Sequence, residues 1–300
     1  MSFSPVVTVV IPVLNGADTL GDLLASLKHQ AGLPGVMEIL VVDNGSTDDT
    51  VKLAESQGVT VLRQPIRGPS AARNLGLSHA SSEVVVFTDS DTIPTRRWLS
   101  SLCSVFAEPA VVLATGPIHA WQPKTAAERF ADARGAYSPE LTHAHPLHPF
   151  AVGMNVAVRR EAARAVCGWD ETMSSGEDVD FSTRLCKQFE VPIRFVPQAI
   201  LFHHHRTTDE ALWHQAYWHG AGYAQFQHRH PQLAPWTPLD AFSVFFSLTT
   251  LSLASPLVAL GRRFCPWIHP QRWEFEDYYR GWTKHFWRGF FDQRRKDHNS

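Results

Sequence analysis

A chain of 300 residues, 44% hydrophobic and 19% charged, carries enough apolar material for a sizeable core, which argues against a disordered chain. Its formal charge of −2 offers nothing to a polyanion, so no nucleic-acid partner is expected. Four scattered cysteines (Cys103, Cys167, Cys186, Cys265) form no CxxC pair and read as reduced thiols of a cytosolic protein, and no basic segment of a signal peptide precedes the first strand pattern.

Residues 6–13 (VVTVVIPV) are a β-branched run suited to a central parallel strand buried on both faces. Leu20, Leu23, Leu24 and Leu27 then recur at helical spacing. A second buried strand, 38–42 (EILVV), runs into the turn Asp43-Asn44-Gly45-Ser46. Ser46 is expected to cap a helix through Gln57, with Asp48 and Asp49 in its first turn, where the helix dipole favours acids. Residues 59–62 predict a third strand, 68–79 (GPSAARNLGLSH) a helix, and 83–88 a fourth strand that ends in Asp89-Ser90-Asp91. Further strands are expected at 111–115, 151–159 and 192–197, and helices at 126–137, 177–188 and from Thr208. The segment 143–150, with His143, His145 and His148, reads as a loop on the acceptor side, with a second metal site as the alternative.

Strands and helices alternate, so the expected class is α/β: a Rossmann-like, mostly parallel central sheet flanked by helices, with a C-terminal helical tail. Such sheets bind ligands beyond the carboxyl ends of their strands. Asn15, Asp43 and Asp89 each follow a strand end and are expected along one rim. Two carboxylates one residue apart suit a divalent cation such as Mn²⁺ or Mg²⁺, which takes oxygen ligands and would bridge the phosphates of a nucleotide. A solvated turn is the alternative for an isolated DxD. No GxGxxG follows the first strand and no GxxxxGK[ST] loop is present, so a dinucleotide or Walker-type site is not expected. Arg73, on the helix behind Gly68, is placed to meet phosphate or to hold a carboxylate.

The ordered set VTVVIPVLN, ILVVDNGSTDDT, GPSAARNLGL, VVVFTDSD, GMNVAVRR, GWDE and GEDVDFSTRL resembles the family 2 glycosyltransferases, of GT-A fold, over roughly residues 5–206. The resemblance implies a metal-dependent transferase that moves one sugar, with inversion, from a nucleoside diphosphate (UDP favoured) to a hydroxyl. The acceptor is left open among a lipid-linked molecule, a cell-envelope glycan and a small molecule. It implies that Pro12, Val13 and Asn15 line the nucleotide pocket, that Asp43 bonds the base, and that Arg73 sits beside the pyrophosphate. In the DSD, Asp89 would contact ribose, Ser90 lies between, and Asp91 would bind metal. Asp178, flanked by Glu177, matches the general base, and Asn155 a residue lining the sugar or acceptor pocket. Trp169 would be a stacking wall or plain core. A metal-binding histidine is implied in the run His203 to His205, with His205 preferred. No QxxRW follows the acidic helix, which favours single addition over polymerisation. Two other classes compete: a non-catalytic glycan or sugar-nucleotide binder, disfavoured by Asp178 beside a complete DSD, and a nucleotidyltransferase, whose glycine-rich loop is lacking.

A catalytic domain is expected over 1–206 (nucleotide half about 1–92, acceptor half about 93–206), and a helical aromatic and basic region over 207–300. Residues 241–261 carry no charge but contain six Ser or Thr and a Pro, a borderline membrane span. One crossing would export a tail rich in Arg and Lys. Interleaved Trp, Phe and basic residues up to 296 suit a helix lying in the headgroup region, hence peripheral contact with the cytoplasmic face. Packing of this region on the core is the alternative.

Overall fold

A computed structural model describes residues 6–145, 148–237, 242, 249 and 270–299. A seven-stranded sheet has the order β3-β2-β1-β4-β8-β6-β9, with β1 (Val7–Val13), β2 (Met37–Asp43), β3 (Thr60–Arg63) and β4 (Val84–Phe87) mutually parallel. β8 (Val156–Arg159) runs antiparallel between β4 and β6 (Leu113–Thr115), and β9 (Arg194–Phe195) closes the edge beside β6. A second sheet of order β5-β10-β7 joins β5 (Thr92–Pro94), β10 (Leu201–His203) and β7 (Ile118–Ala120).

The pleat explains why the strands read as unbroken apolar runs. Val7, Val9, Ile11 and Val86 face one layer with Leu20, Leu23, Leu24 and Leu27 of α1 (Ala17–Lys28). Val10, Val85 and Phe87 face the other, with Ala72 and Leu77 of α3 (Pro69–His79). Each such side chain, fully buried, contributes about 1.5–3 kcal/mol. Pro12 is tolerated in a central strand because it lies past Val10, the last residue of β1 that pairs with β4.

Several elements differ from the sequence expectation. α2 spans Thr50–Ser56 with Asp49 as its cap, because the Ser46 hydroxyl accepts instead from the Asn15 amide at 2.9 Å. The strand expected over 151–159 is shorter, since Gly153–Asn155 forms a single 3-10 turn before β8. Among the elements without a clear sequence signal are α4 (Trp98–Ser104), α6 (Arg160–Ala165) and all three strands of the small sheet, β5, β7 and β10. α7 (Glu177–Phe189) begins where expected.

By packing, the chain divides into two compact units: Met1–Gln122, Ala136–Met173 and Glu177–His204 in the first, and Pro123–Gly135, Ser174–Gly176 and His205–Ser300 in the second. The first holds both sheets. In the second, α5 (Ala126–Ala133) starts with a capping box between Thr125 and Glu128, and α8 (Asp209–Arg229) is capped by Thr208. Ala127 and Phe130 of α5 share a core with Leu212 and Ala216 of α8 and Trp282 of α9 (Pro270–Asn299). α8 and α9 approach through glycines: a Cβ at Gly220 would sit 1.8 Å from the Phe286 carbonyl oxygen, and one at Gly289 1.9 Å from that of Tyr217. Phe286 and Phe290 of the aromatic tail thereby ring Tyr223 of α8. Of the uncharged stretch 241–261, only Phe242 and Thr249 are among the described residues. Among the described residues, no helix is long and apolar enough to cross a membrane.

Candidate active site

The carboxyl ends of β2, β1 and β4 form the rim. The turn after β1 bends at Asn15, which has φ +53°, and its Oδ1 accepts from the Thr47 amide at 2.8 Å. Asp43 ends β2 opposite Val13 and is nearly buried; its Oδ1 accepts from the Ser46 amide at 3.0 Å. Asn44 next to it accepts from the Gly68 amide at 2.7 Å, tying this turn to the start of α3. Pro12 and Val13 are buried in β1, below the rim.

The DSD follows β4 and is stiffly held. The Thr92 hydroxyl bonds the Asp89 carbonyl oxygen at 2.8 Å, and the Asp91 carbonyl oxygen accepts from the His204 amide at 2.9 Å. Ser90 faces Gly16, where a Cβ would lie 3.0 Å from its Oγ. Because β5 pairs antiparallel with β10, Thr92 lies opposite His203, whose Nε2 is 3.5 Å from Asp91 Oδ2. A carboxylate facing an imidazole is a donor pair that fits a divalent first-row cation, which needs few protein ligands when phosphates and waters supply the rest. Among the described residues, no group of three or more His, Cys, Asp or Glu side chains is gathered as a ready metal cage. His205 is buried in the second unit, where it interacts electrostatically with Glu128.

Arg73 is the hub of the cluster. Its Nη2 lies 2.9 Å from Asp89 Oδ1 and its Nη1 2.8 Å from Glu177 Oε1. Burial opposes its charge, but the two carboxylates more than offset that and hold the guanidinium firmly protonated. For Asp89, burial pushes the carboxyl up, Arg73 opposes, and Asp91 adds repulsion.

Asp178 sits beside Glu177 in the first turn of α7. Its Oδ2 accepts from the Gly153 amide at 3.2 Å and its Oδ1 from the Val179 amide at 2.9 Å. Burial pushes its carboxyl up to about 7, the Glu177 charge adds to this, and the Gly153 amide and Arg73 oppose it. A carboxylate that releases its proton near neutrality is suited to accept one during a reaction. Asn155 is fully buried: its Oδ1 accepts from Trp98 Nε1 at 2.8 Å and its side-chain amide reaches the Ala199 carbonyl oxygen at 3.3 Å, linking the turn before β8 to α4.

Sequence reading singled out Trp169 but not its partners. The Trp169 ring stacks on Phe181 at 4.3 Å, meets Phe87 edge-on at 5.1 Å, and carries the Arg73 guanidinium 4.7 Å from its centroid. Asn74 grips its backbone from both sides, accepting from the Trp169 amide and donating to its carbonyl oxygen, each at 2.8 Å. The preceding Gly168 has φ +68°, and a Cβ there would lie 2.4 Å from Asn74 Oδ1. The adjacent Arg-Asn and Gly-Trp pairs were the available signal, but their contact spans 95 residues.

Comparison with known proteins came to a consistent result. The profile of the family described as "Glycosyl transferase family 2" matches residues 8–167. A pre-mycofactocin glycosyltransferase of Mycobacterium tuberculosis is 34% identical over 241 residues, covering 75% of this chain and 48% of the relative. Glycosyltransferase AglE of Haloferax volcanii is 29% identical over 188 residues, covering 60% of this chain and 61% of the relative. The chain thus spans about half the length of the first of these relatives. Among solved structures, the Pyrobaculum calidifontis mannosyltransferase PcManGT, in complex with GDP-Man and Mn²⁺, aligns with a TM-score of 0.67 and 18% identity over 97% of this chain and 88% of its own. Glucosyl-3-phosphoglycerate synthase of M. tuberculosis, with Mn²⁺, UDP and glucosyl-3-phosphoglycerate, aligns with a TM-score of 0.54 and 23% identity over 75% and 80%. At these identities the structural likeness speaks for the fold, which is GT-A.

Proposed function

The chain belongs to glycosyl transferase family 2, and from that premise we propose that it transfers a sugar from a nucleoside-diphosphate sugar to a hydroxyl group. The observation that carries this reading is the joining of the DSD to the Glu177-Asp178 pair through Arg73, which puts a donor rim and a proton acceptor in one cluster. Asp178 takes the proton of the acceptor hydroxyl as its oxygen bonds to the anomeric carbon, while the bond to the diphosphate breaks on the opposite side. A single displacement of this kind inverts the anomeric centre. Two groups hold the donor: Asn15 and Asp43 on the base side, with Gly68 at the start of α3, and Asp89, Ser90 and Asp91 on the ribose and diphosphate side. A divalent cation held by Asp91 and a histidine of the run 203–205 would supply charge neutralisation on the departing diphosphate. His203→Ala, His204→Ala and His205→Ala, compared for Mn²⁺ binding, separate the three candidates.

The same proposal includes UDP or GDP as the donor's nucleotide, a hydroxyl acceptor, and action at the cytoplasmic face of the membrane through residues 241–296. Co-sedimentation with vesicles containing anionic lipid tests the last of these. The primary test is calorimetric titration of UDP and GDP, with Mn²⁺ and with chelator, on wild type and Asp91→Ala. Metal-dependent binding of one nucleotide, lost in Asp91→Ala, supports the donor site, and release of that nucleotide from its sugar conjugate must then fail in Asp178→Asn. Absence of binding under every condition removes the transferase reading.

A further inference from the structure

Arg73 reaches two carboxylates at once, Asp89 through Nη2 and Glu177 through Nη1, and groups outside the ion pairs flank its guanidinium. The guanidinium lies in a slot. On one side is the face of the Trp169 ring, 4.7 Å from centroid to Cζ; on another is the backbone of Gly153, where an added Cβ would sit 3.1 Å from Nη2. Phe181 is stacked on Trp169 at 4.3 Å with planes 14° apart, which leaves the opposite face for the arginine. Phe87 blocks the ring edge. Among the described residues, Trp169 Nε1 and Arg73 Nε find no hydrogen-bond partner. An orphaned buried N–H costs about 1–3 kcal/mol, so the indole is retained here for its faces and not for its polar tip.

We infer that Trp169 is a positioning residue for the transfer reaction: its free face fixes the Arg73 fork so that Asp89 and Glu177 are held together and Glu177 is drawn to one side of Asp178. The role rests on Asp178 being the base. The charged groups facing Asp178 are Glu177 on its own helix and Arg73 from α3, and the Gly153 and Val179 amides complete its surroundings. A guanidinium free to turn away from this cluster weakens the one positive charge that, among the described residues, opposes protonation of Asp178.

The test follows the ¹⁵N-labelled Gly153 amide, which donates to Asp178, through a pH titration of wild type, Trp169→Leu, Trp169→Phe and Arg73→Lys, without any donor. Phe keeps an aromatic face and removes the orphaned N–H; Leu removes the face. The expected result is a midpoint raised by about half to one pH unit in Trp169→Leu and in Arg73→Lys, with Trp169→Phe close to wild type. A folded Trp169→Leu that keeps the wild-type midpoint overturns the inference, as does a Trp169→Phe that shifts as far as Leu. If Trp169→Leu does not fold, Arg73→Lys must shift while Trp169→Phe does not; any other pattern overturns it. A wild-type Gly153 amide that does not titrate between pH 5 and 9 removes the base assignment instead. The Arg73 guanidinium resonances then decide: slow rotation in wild type and Phe with averaging in Leu supports the positioning role, and equal behaviour in all three ends it.

Discussion

Asp89 and Glu177 meet on opposite ends of one guanidinium, so a strand end and a helix start far apart in the chain share a single counter-charge. The Arg73 side chain is only 5% exposed, which sets the magnitude of its loss. Arg73→Met removes the guanidinium that both carboxylates bind, a change expected to cost about 3–5 kcal/mol at pH 7.5. The loss shrinks when pH is lowered to 5, because burial pushes the Asp89 carboxyl up and its protonation relieves the repulsion. Urea unfolding at the two pH values checks both the size and the trend; an unchanged midpoint at pH 7.5 would mean that water already screens the pair.

Asp178 makes activity and stability respond to pH in opposite senses. As a base it works only when ionised, so turnover rises with pH through about 7 and levels off above it. Its folded-state value lies above that of an unfolded aspartate, near 3.9. The stability it contributes is therefore complete below about pH 4 and lost as pH rises through about 7. Asp178→Asn should lose turnover, and its melting temperature relative to wild type should climb between pH 5 and 8, by the equivalent of about 1 kcal/mol or more. A difference that stays flat over that range would show that the carboxyl is not held protonated by its surroundings.

Gly289 lies where α9 crosses α8 at backbone contact. Gly289→Leu forces the helices apart and should lower stability by about 3 kcal/mol or more. Arg288→Ala, one residue away with a side chain 70% exposed, should stay within about 0.5 kcal/mol. Thermal unfolding of the two variants side by side is the check, and equal effects would contradict the close crossing.

Gly168→Ala meets two obstacles at once, a left-handed backbone and Asn74 Oδ1 at 2.4 Å. A cost of about 1–3 kcal/mol is expected from the backbone alone. Asn74→Ala, which releases the Trp169 backbone but leaves φ untouched, isolates the second part. If Gly168→Ala in the Asn74→Ala background costs as much as in wild type, the close approach contributes nothing.

Much of the first unit could be read because its elements carry local signals. The VVTVVIPV run, the leucines of α1 and the Gly-Pro start of α3 each announce themselves over a few residues, and the structure has β1, α1 and α3 there. Parallel neighbours then bring Asn15, Asp43 and Asp89 to one rim without further information. What stayed hidden depends on distant pairings. Ser46 looks like a cap until Asn15 claims its hydroxyl. Trp169 reads equally well as core or as ligand wall, because nothing local reveals that Arg73 lies over it. The aromatic tail shows the same ambiguity: lipid and a partner helix are both apolar, and in the second unit Phe286 and Phe290 lie against Tyr223 of α8.

The core that Phe130 shares with Trp282 has a bearing on how the chain is made. Synthesis runs from the N-terminus, so α5 emerges from the ribosome with its apolar face bare. Its closing partner follows about 150 residues later, a wait of roughly eight to thirty seconds at about 5–20 residues per second. During that interval Ala127 and Phe130 lack the Trp282 side of their core and leave apolar surface open to aggregation. A chain stopped after residue 206 would lack Leu212, Ala216 and Trp282, the core partners of Ala127 and Phe130, so the sheet-bearing half is a poor candidate for expression on its own.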